Sequence, residues 1–86
     1  MKTFDLIKQR SADSARERML FIHRIEGADM MLAVGQAATA RAWKESGEAE
    51  KSEKILAKGE RYFSDTPEHQ HIWTLAVTEV ESAEID

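Results

Sequence analysis

The chain has 86 residues, room for one domain and too few for two cores. Hydrophobic residues make up 42% and charged residues 33%, which excludes a globally disordered chain, and the lack of cysteine excludes a disulfide framework and thiolate zinc sites. The net charge of −4 argues against a general nucleic-acid binder, which needs a basic footprint.

That net charge conceals a gradient. Residues 1–24 carry six basic and three acidic groups, whereas residues 66–86 carry five acidic groups and no lysine or arginine. No apolar run approaches the roughly 20 residues of a membrane span. The opening Met1–Lys8 has a charge at Asp5 and no apolar run of signal-peptide length, so the expected location is the cytoplasm. A chain this short buries only about 60–65% of its unfolded surface, so help from self-association or a partner is expected.

One proline, four glycines, sparse β-branching and apolar residues at helical spacing predict an all-α fold. The first helix is expected over about residues 14–26, because Ser14 and Glu17 have capping-box spacing. Residues 1–13 then form an N-terminal arm or an extra helical turn, in which Phe4 and Ile7 continue the apolar stripe. Gly27 admits two readings. As a C-cap it would hand over to Asp29 as the next cap; as a mid-helix residue it would cost about 1 kcal/mol relative to alanine. We favour a break.

A second helix over about 28–45 is apolar around most of its circumference, with Asp29, Gln36, Thr39 and Arg41 as its polar residues up to Trp43, and so belongs at the centre. Its small residues permit close approach of another backbone. A homodimer through Met31, Leu32, Gly35, Ala38 and Ala42 is expected to bury what three other helices leave uncovered. Ser46-Gly47 marks a turn, and the third helix, about 48–64, is one-sided and peripheral. The spacing of Trp43, Gly47, Gly59 and Phe63 resembles a tetratricopeptide unit, but Glu50 stands where an aromatic belongs and there is no second copy. We read it as coincidence.

Thr66-Pro67-Glu68 is the clearest boundary: N-cap, first helical residue and a charge suited to the positive end of the dipole. The fourth helix, about 67–84, places Ile72, Trp73, Ala76, Val77, Val80 and Ala83 on one face. Glu79, Glu81, Glu84 and Asp86 crowd its C-terminal end, where negative charge opposes the macrodipole and should fray the helix unless something basic meets it. Residues 85–86 read as an acidic tail. The architecture is therefore a single domain over 1–86, a compact bundle of three or four helices that self-associates.

No cofactor is called for, and no arrangement of nucleophile, base and orienting group supports catalysis. Glu68 and His71 have the i,i+3 spacing of helical di-metal sites, but a second such pair is missing. His69 and His71 read as solvated residues at a helix start, and His23 as a helix-edge residue. The expected function is a non-enzymatic interaction module, an adaptor or inhibitor, whose Glu79, Glu81, Glu84 and Asp86 engage a basic surface on another protein, such as a nucleic-acid-handling complex. Two alternatives stand beside it. One is a metal-binding dimer using Glu68 and His71. The other is a nucleic-acid binder using a basic segment of Lys2, Lys8, Arg10, Arg16, Arg18 and Arg24.

Overall fold

The computed structural model describes residues 3–85; Met1, Lys2 and Asp86, with the roles expected of the last two, lie outside the described residues. Four helices follow one another: α1 (Phe4–Phe21), α2 (Ala28–Glu45), α3 (Ala49–Tyr62) and α4 (Pro67–Ser82). There is no strand among the described residues.

Helix α1 starts at Phe4, ten residues earlier than the Ser14 cap predicts. Thr3 is the N-cap, its hydroxyl accepting the Leu6 N–H at 3.3 Å. The buried stripe Ile7, Ser11, Ala12, Ala15 and Met19 runs unbroken through the supposed boundary. Ser11 is accommodated inside the helix because its hydroxyl donates back to the Ile7 carbonyl at 2.7 Å. The arm is thus the first half of a helix.

Gly27 does mark a break. The Ile22 and His23 N–H groups donate to the Arg18 carbonyl and Ile25 N–H donates to Met19, closing α1 through Arg24 in a left-handed conformation with φ of 59°. Gly27, with φ of 112°, is itself the N-cap of α2. Asp29 lies one residue inside the helix, so it does not cap it.

Helix α2 is central, as its composition predicts: α1, α3 and α4 all pack on it, while α1 and α3 pass on its two sides without packing on each other. Met30, Ala33, Val34, Ala37, Ala38, Ala40 and Ala42 are buried, and the run of alanines lets three neighbours approach one rod. The turn at Ser46-Gly47 falls between Trp43 and Glu50, splitting the span that a tetratricopeptide reading requires to be one helix.

The main core joins Met19, Val34, Phe63, Trp73, Ala76 and Val80. Phe63 and Trp73 stack with ring centroids 5.6 Å apart and planes 9° from parallel. Where α3 meets α4, the Trp73 ring lies directly over Gly59, and a Cβ on Gly59 would fall 2.2 Å from the ring. Nothing within 4 Å would meet a Cβ on Gly35. The two helical glycines should therefore respond oppositely to alanine. Gly35→Ala is expected to raise stability by about 0.5–1 kcal/mol through helix propensity. Gly59→Ala is expected to lower it by about 1–2 kcal/mol net, since overpacking costs about 1–3 and propensity returns about 1. Urea denaturation of both variants checks the signs; two stabilising substitutions would contradict the packing of Trp73.

A second, smaller core closes the other end. Ile7, Ala42 and Ile85 are buried together with Phe4 beside them. The Phe4 ring sits 4.4 Å from Trp43, and Lys51 Nζ lies 4.5 Å from the Trp43 ring. Ile85, expected in an acidic tail, is 7% exposed and belongs to this core. The acidic end of α4 also finds its basic counterpart. Arg41 Nη1 donates to the Val80 and Ala83 carbonyls at 2.7 and 2.6 Å, and Lys44 Nζ is 3.8 Å from Glu81. These contacts hold the turn that sequence reading expects to fray.

Candidate functional site

Antiparallel succession puts the end of α1, the start of α2, the end of α3 and the start of α4 at one end of the bundle. A contact across that end, His69 Nε2 to Asp29 Oδ2 at 3.1 Å, confirms the arrangement. The large apolar side chains left exposed gather there: Leu20 and Phe21 in the last turn of α1, Ile22 as its cap, Met31 and Leu32 at the start of α2, and Tyr62 ending α3. Single exposed apolar residues are ordinary, whereas here six large ones, 45–64% exposed at all but Leu20, lie at one end.

Two open clefts share Met31. One is lined by Leu20, Met30 and Met31 with Arg16, Glu17, Glu26 and Gly27. The other runs along α2 between α1 and α3, over Met31, Leu32, Gly35 and Thr39, with Ile55, Gln36, Lys8 and Lys58 at its sides. Of the residues expected in self-association, Met31, Leu32 and Gly35 line this surface. Ala38 and Ala42 do not: both are 0% exposed. They continue the same ridge, but Ala38 belongs to the main core and Ala42 packs under Ile7 and Ile85.

Phe21 and Ile22 were not among the residues expected in self-association. The signal for a surface was present in Met19-Leu20-Phe21-Ile22, since four successive apolar residues on a helix cannot share one face.

The acidic residues expected to meet a partner have separate fates. Glu79 is 7% exposed and faces inward. Its Oε1 accepts from Arg18 Nε at 2.6 Å, and its Oε2 lies 2.7 Å from His23 Nε2. The hydrogen bond from His23, followed by those from and the charge of Arg18, holds the Glu79 carboxyl below its ordinary range against the opposing effect of burial. Glu79 is therefore withdrawn from any partner: it is an internal brace joining α4 to the end of α1. Glu81 lies beside Lys44, and Glu84 is exposed at the rim of a cleft with Ser14, Arg18 and Thr78.

The basic segment is likewise divided. Arg16 pairs with Asp13 and Arg18 with Glu79, while Lys8, Arg10 and Arg24 are exposed. Glu68 and His71 share a shallow cleft with Glu26, Arg24, Ile25 and Ile72. Among the described residues, no group of three histidine, cysteine, aspartate or glutamate side chains has the geometry to hold a metal ion.

His69, expected to be a solvated helix-start residue, instead acts as a clasp. Its Nδ1 lies 2.7 Å from Asp65, its Nε2 meets Asp29, and its ring stands edge-on to Phe63 at 6.0 Å. Both ring nitrogens face carboxylates, so the protonated imidazolium is favoured and neither nitrogen is presented to a substrate. The Asp65 hydrogen bond raises the His69 pKa above 6.5, and the same bond lowers that of Asp65 below 3.8. A raised histidine stabilises the fold fully below 6.5 and loses that contribution as pH rises through the folded value; the lowered aspartate contributes above 3.8 and fades as pH falls through its folded value. The clasp is therefore expected to be strongest between these limits. The melting temperature of the wild type should fall from pH 6 to pH 9 more than that of His69→Asn, and a histidine titration followed by NMR should place His69 above 6.5. Parallel pH profiles would contradict the clasp.

No helix among the described residues is long and apolar enough to cross a membrane. Comparison with protein-family models, with curated proteins and with solved structures gave no match to this chain.

Proposed function

We propose that the protein is a small non-enzymatic interaction module of the cytoplasm that docks on another polypeptide through the apolar end of the bundle. The observation that carries this reading is the exposure of Leu20, Phe21, Ile22, Met31, Leu32 and Tyr62 at one end, where Leu20, Met31 and Leu32 line two clefts that meet at Met31. The rest of the domain is satisfied: no buried side-chain nitrogen or oxygen lacks a partner among the described residues. Met31, half exposed, suits a contact that must adapt its shape.

This shifts the contact away from the acidic end of α4. Glu79 is committed to Arg18 and His23, and Glu81 is beside Lys44, which leaves Glu84 as the freest of the described carboxylates expected to engage a basic surface. The adaptor or inhibitor role proposed here therefore uses a different surface.

Site-specific photo-cross-linking in cells tests the reading. A cross-linking residue in place of Phe21 or Leu32 should give a discrete polypeptide adduct, while one in place of exposed Glu53 on α3 should not. Leu32→Glu should abolish the adduct formed from position 21. No adduct at either position, or equal adducts at all three, would end the proposal.

A further inference from the structure

We infer that the partner segment received by this surface is an acidic amphipathic helix, laid in the trough over α2 between α1 and α3. The inference rests on the docking surface proposed above and adds the chemistry of what docks. Shape comes first. Because α1 and α3 flank α2 without packing on each other, one face of α2 stays open between them. Met31, Leu32, Gly35 and Thr39 form its floor, with Lys8 of α1 and Ile55 and Lys58 of α3 at the sides. From Met31 to Thr39 the floor runs about 12 Å, two turns of a helix. Met31 and Leu32 are 50% and 45% exposed, and a Cβ on Gly35 would meet only open space. There is no strand among the described residues, so an extended segment would find no edge for its backbone groups. A helix satisfies those groups internally and brings an apolar stripe to the floor.

Charge then sets the sign. Lys8 and Lys58 are the charged residues that line this trough, and no carboxylate lines it. Both lysines are exposed, and neither forms an ion pair among the described residues. One turn beyond Thr39 the same face of α2 carries Trp43, and Lys51 Nζ lies 4.5 Å from that ring. The cleft at Leu20 differs, because Arg16 shares it with Glu17 and Glu26 and it favours neither sign. On a chain of net charge −4, the α2 trough is thus a local basic strip, which attracts an acidic helix that the rest of the surface repels. A nucleic acid needs a wider basic footprint than three lysines on an acidic chain provide.

Selection of phage-displayed helical peptides on the full chain, with the Leu32→Glu protein as counter-target, tests the inference. Enriched peptides are expected to carry apolar residues at helical spacing flanked by Asp and Glu. By fluorescence anisotropy the tightest of them should bind Lys8→Glu/Lys58→Glu about tenfold more weakly than the wild type, and should weaken as salt is raised. Arg10→Glu/Lys54→Glu changes the net charge equally at exposed positions off the trough, and should bind nearly as the wild type does. Far-UV circular dichroism and urea midpoints check that both double variants are folded. Enrichment of neutral or basic peptides, no enrichment at all, or equal weakening in the two double variants overturns the inference. A generic RNA bound by the wild type and lost in Lys8→Glu/Lys58→Glu would overturn it too, as would a wild-type dimer that Leu32→Glu dissociates, since each gives the trough another occupant. The docking surface itself survives any of these results if Phe21 or Leu32 cross-links to a discrete polypeptide, and falls with the inference if neither does.

Discussion

Phe63→Ala is expected to lower the unfolding free energy by about 3–5 kcal/mol, while Tyr62→Ala, one residue earlier, should change it by less than about 0.5 kcal/mol. The contrast follows from where one turn of α3 points two adjacent aromatics. Phe63 is 1% exposed, stacked on Trp73 and edge-on to His69, whereas Tyr62 is 63% exposed. Removing the Phe63 ring opens a cavity that α3 cannot collapse into, because it meets α4 narrowly, through Gly59 against Trp73. A small domain holds only several kcal/mol in reserve, so Phe63→Ala should be largely unfolded well below the wild-type denaturation midpoint. Urea titrations of the two variants measure this, and a comparable loss in both would mean that the end of α3 is not oriented as described. The same pair bears on function. Tyr62→Ala leaves the fold intact while trimming the apolar end, so any loss of docking in it reports on the surface rather than on stability.

The central helix and the last boundary were legible because each rests on local chemistry. The apolar circumference of residues 28–45 and the Thr66-Pro67-Glu68 start both follow from near neighbours in the chain, and the Thr66 hydroxyl does accept the His69 N–H at 3.0 Å. The start of α1 was misplaced because two capping signals compete. Ser14 with Glu17 is the stronger local motif, but the burial of Ile7 and Ser11 against the rest of the bundle decides the outcome, and that is a tertiary effect. The role of Glu79 was hidden for a similar reason: its partners lie 61 and 56 residues away along the chain. One clue existed. Ile72, Ala76, Glu79 and Ala83 recur at helical spacing, which places a lone carboxylate on the buried stripe of α4 rather than on its solvent face. A charge in that position needs a partner, and α1 supplies it.

Glu79 therefore separates the two readings of the acidic helix. If it were a docking residue, Glu79→Gln would weaken binding and leave stability unchanged, as for Glu81→Gln. As an internal brace it should do the reverse. Breaking a buried ion pair costs about 3–5 kcal/mol when both partners are enclosed. Arg18 is 51% exposed and recovers part of its hydration, so Glu79→Ala is expected to cost about 2–3 kcal/mol and Glu79→Gln somewhat less. The effect should also depend on pH with a definite sign. The folded carboxyl titrates below its ordinary value of 4.5, so its contribution is complete above that value and disappears as pH falls through the folded pKa. The stability difference between wild type and Glu79→Gln should be widest near neutrality and should close in acid, while that for Glu81→Gln stays small throughout. A Glu79→Gln protein as stable as the wild type at pH 7 would return Glu79 to the surface and restore the acidic helix as the docking element.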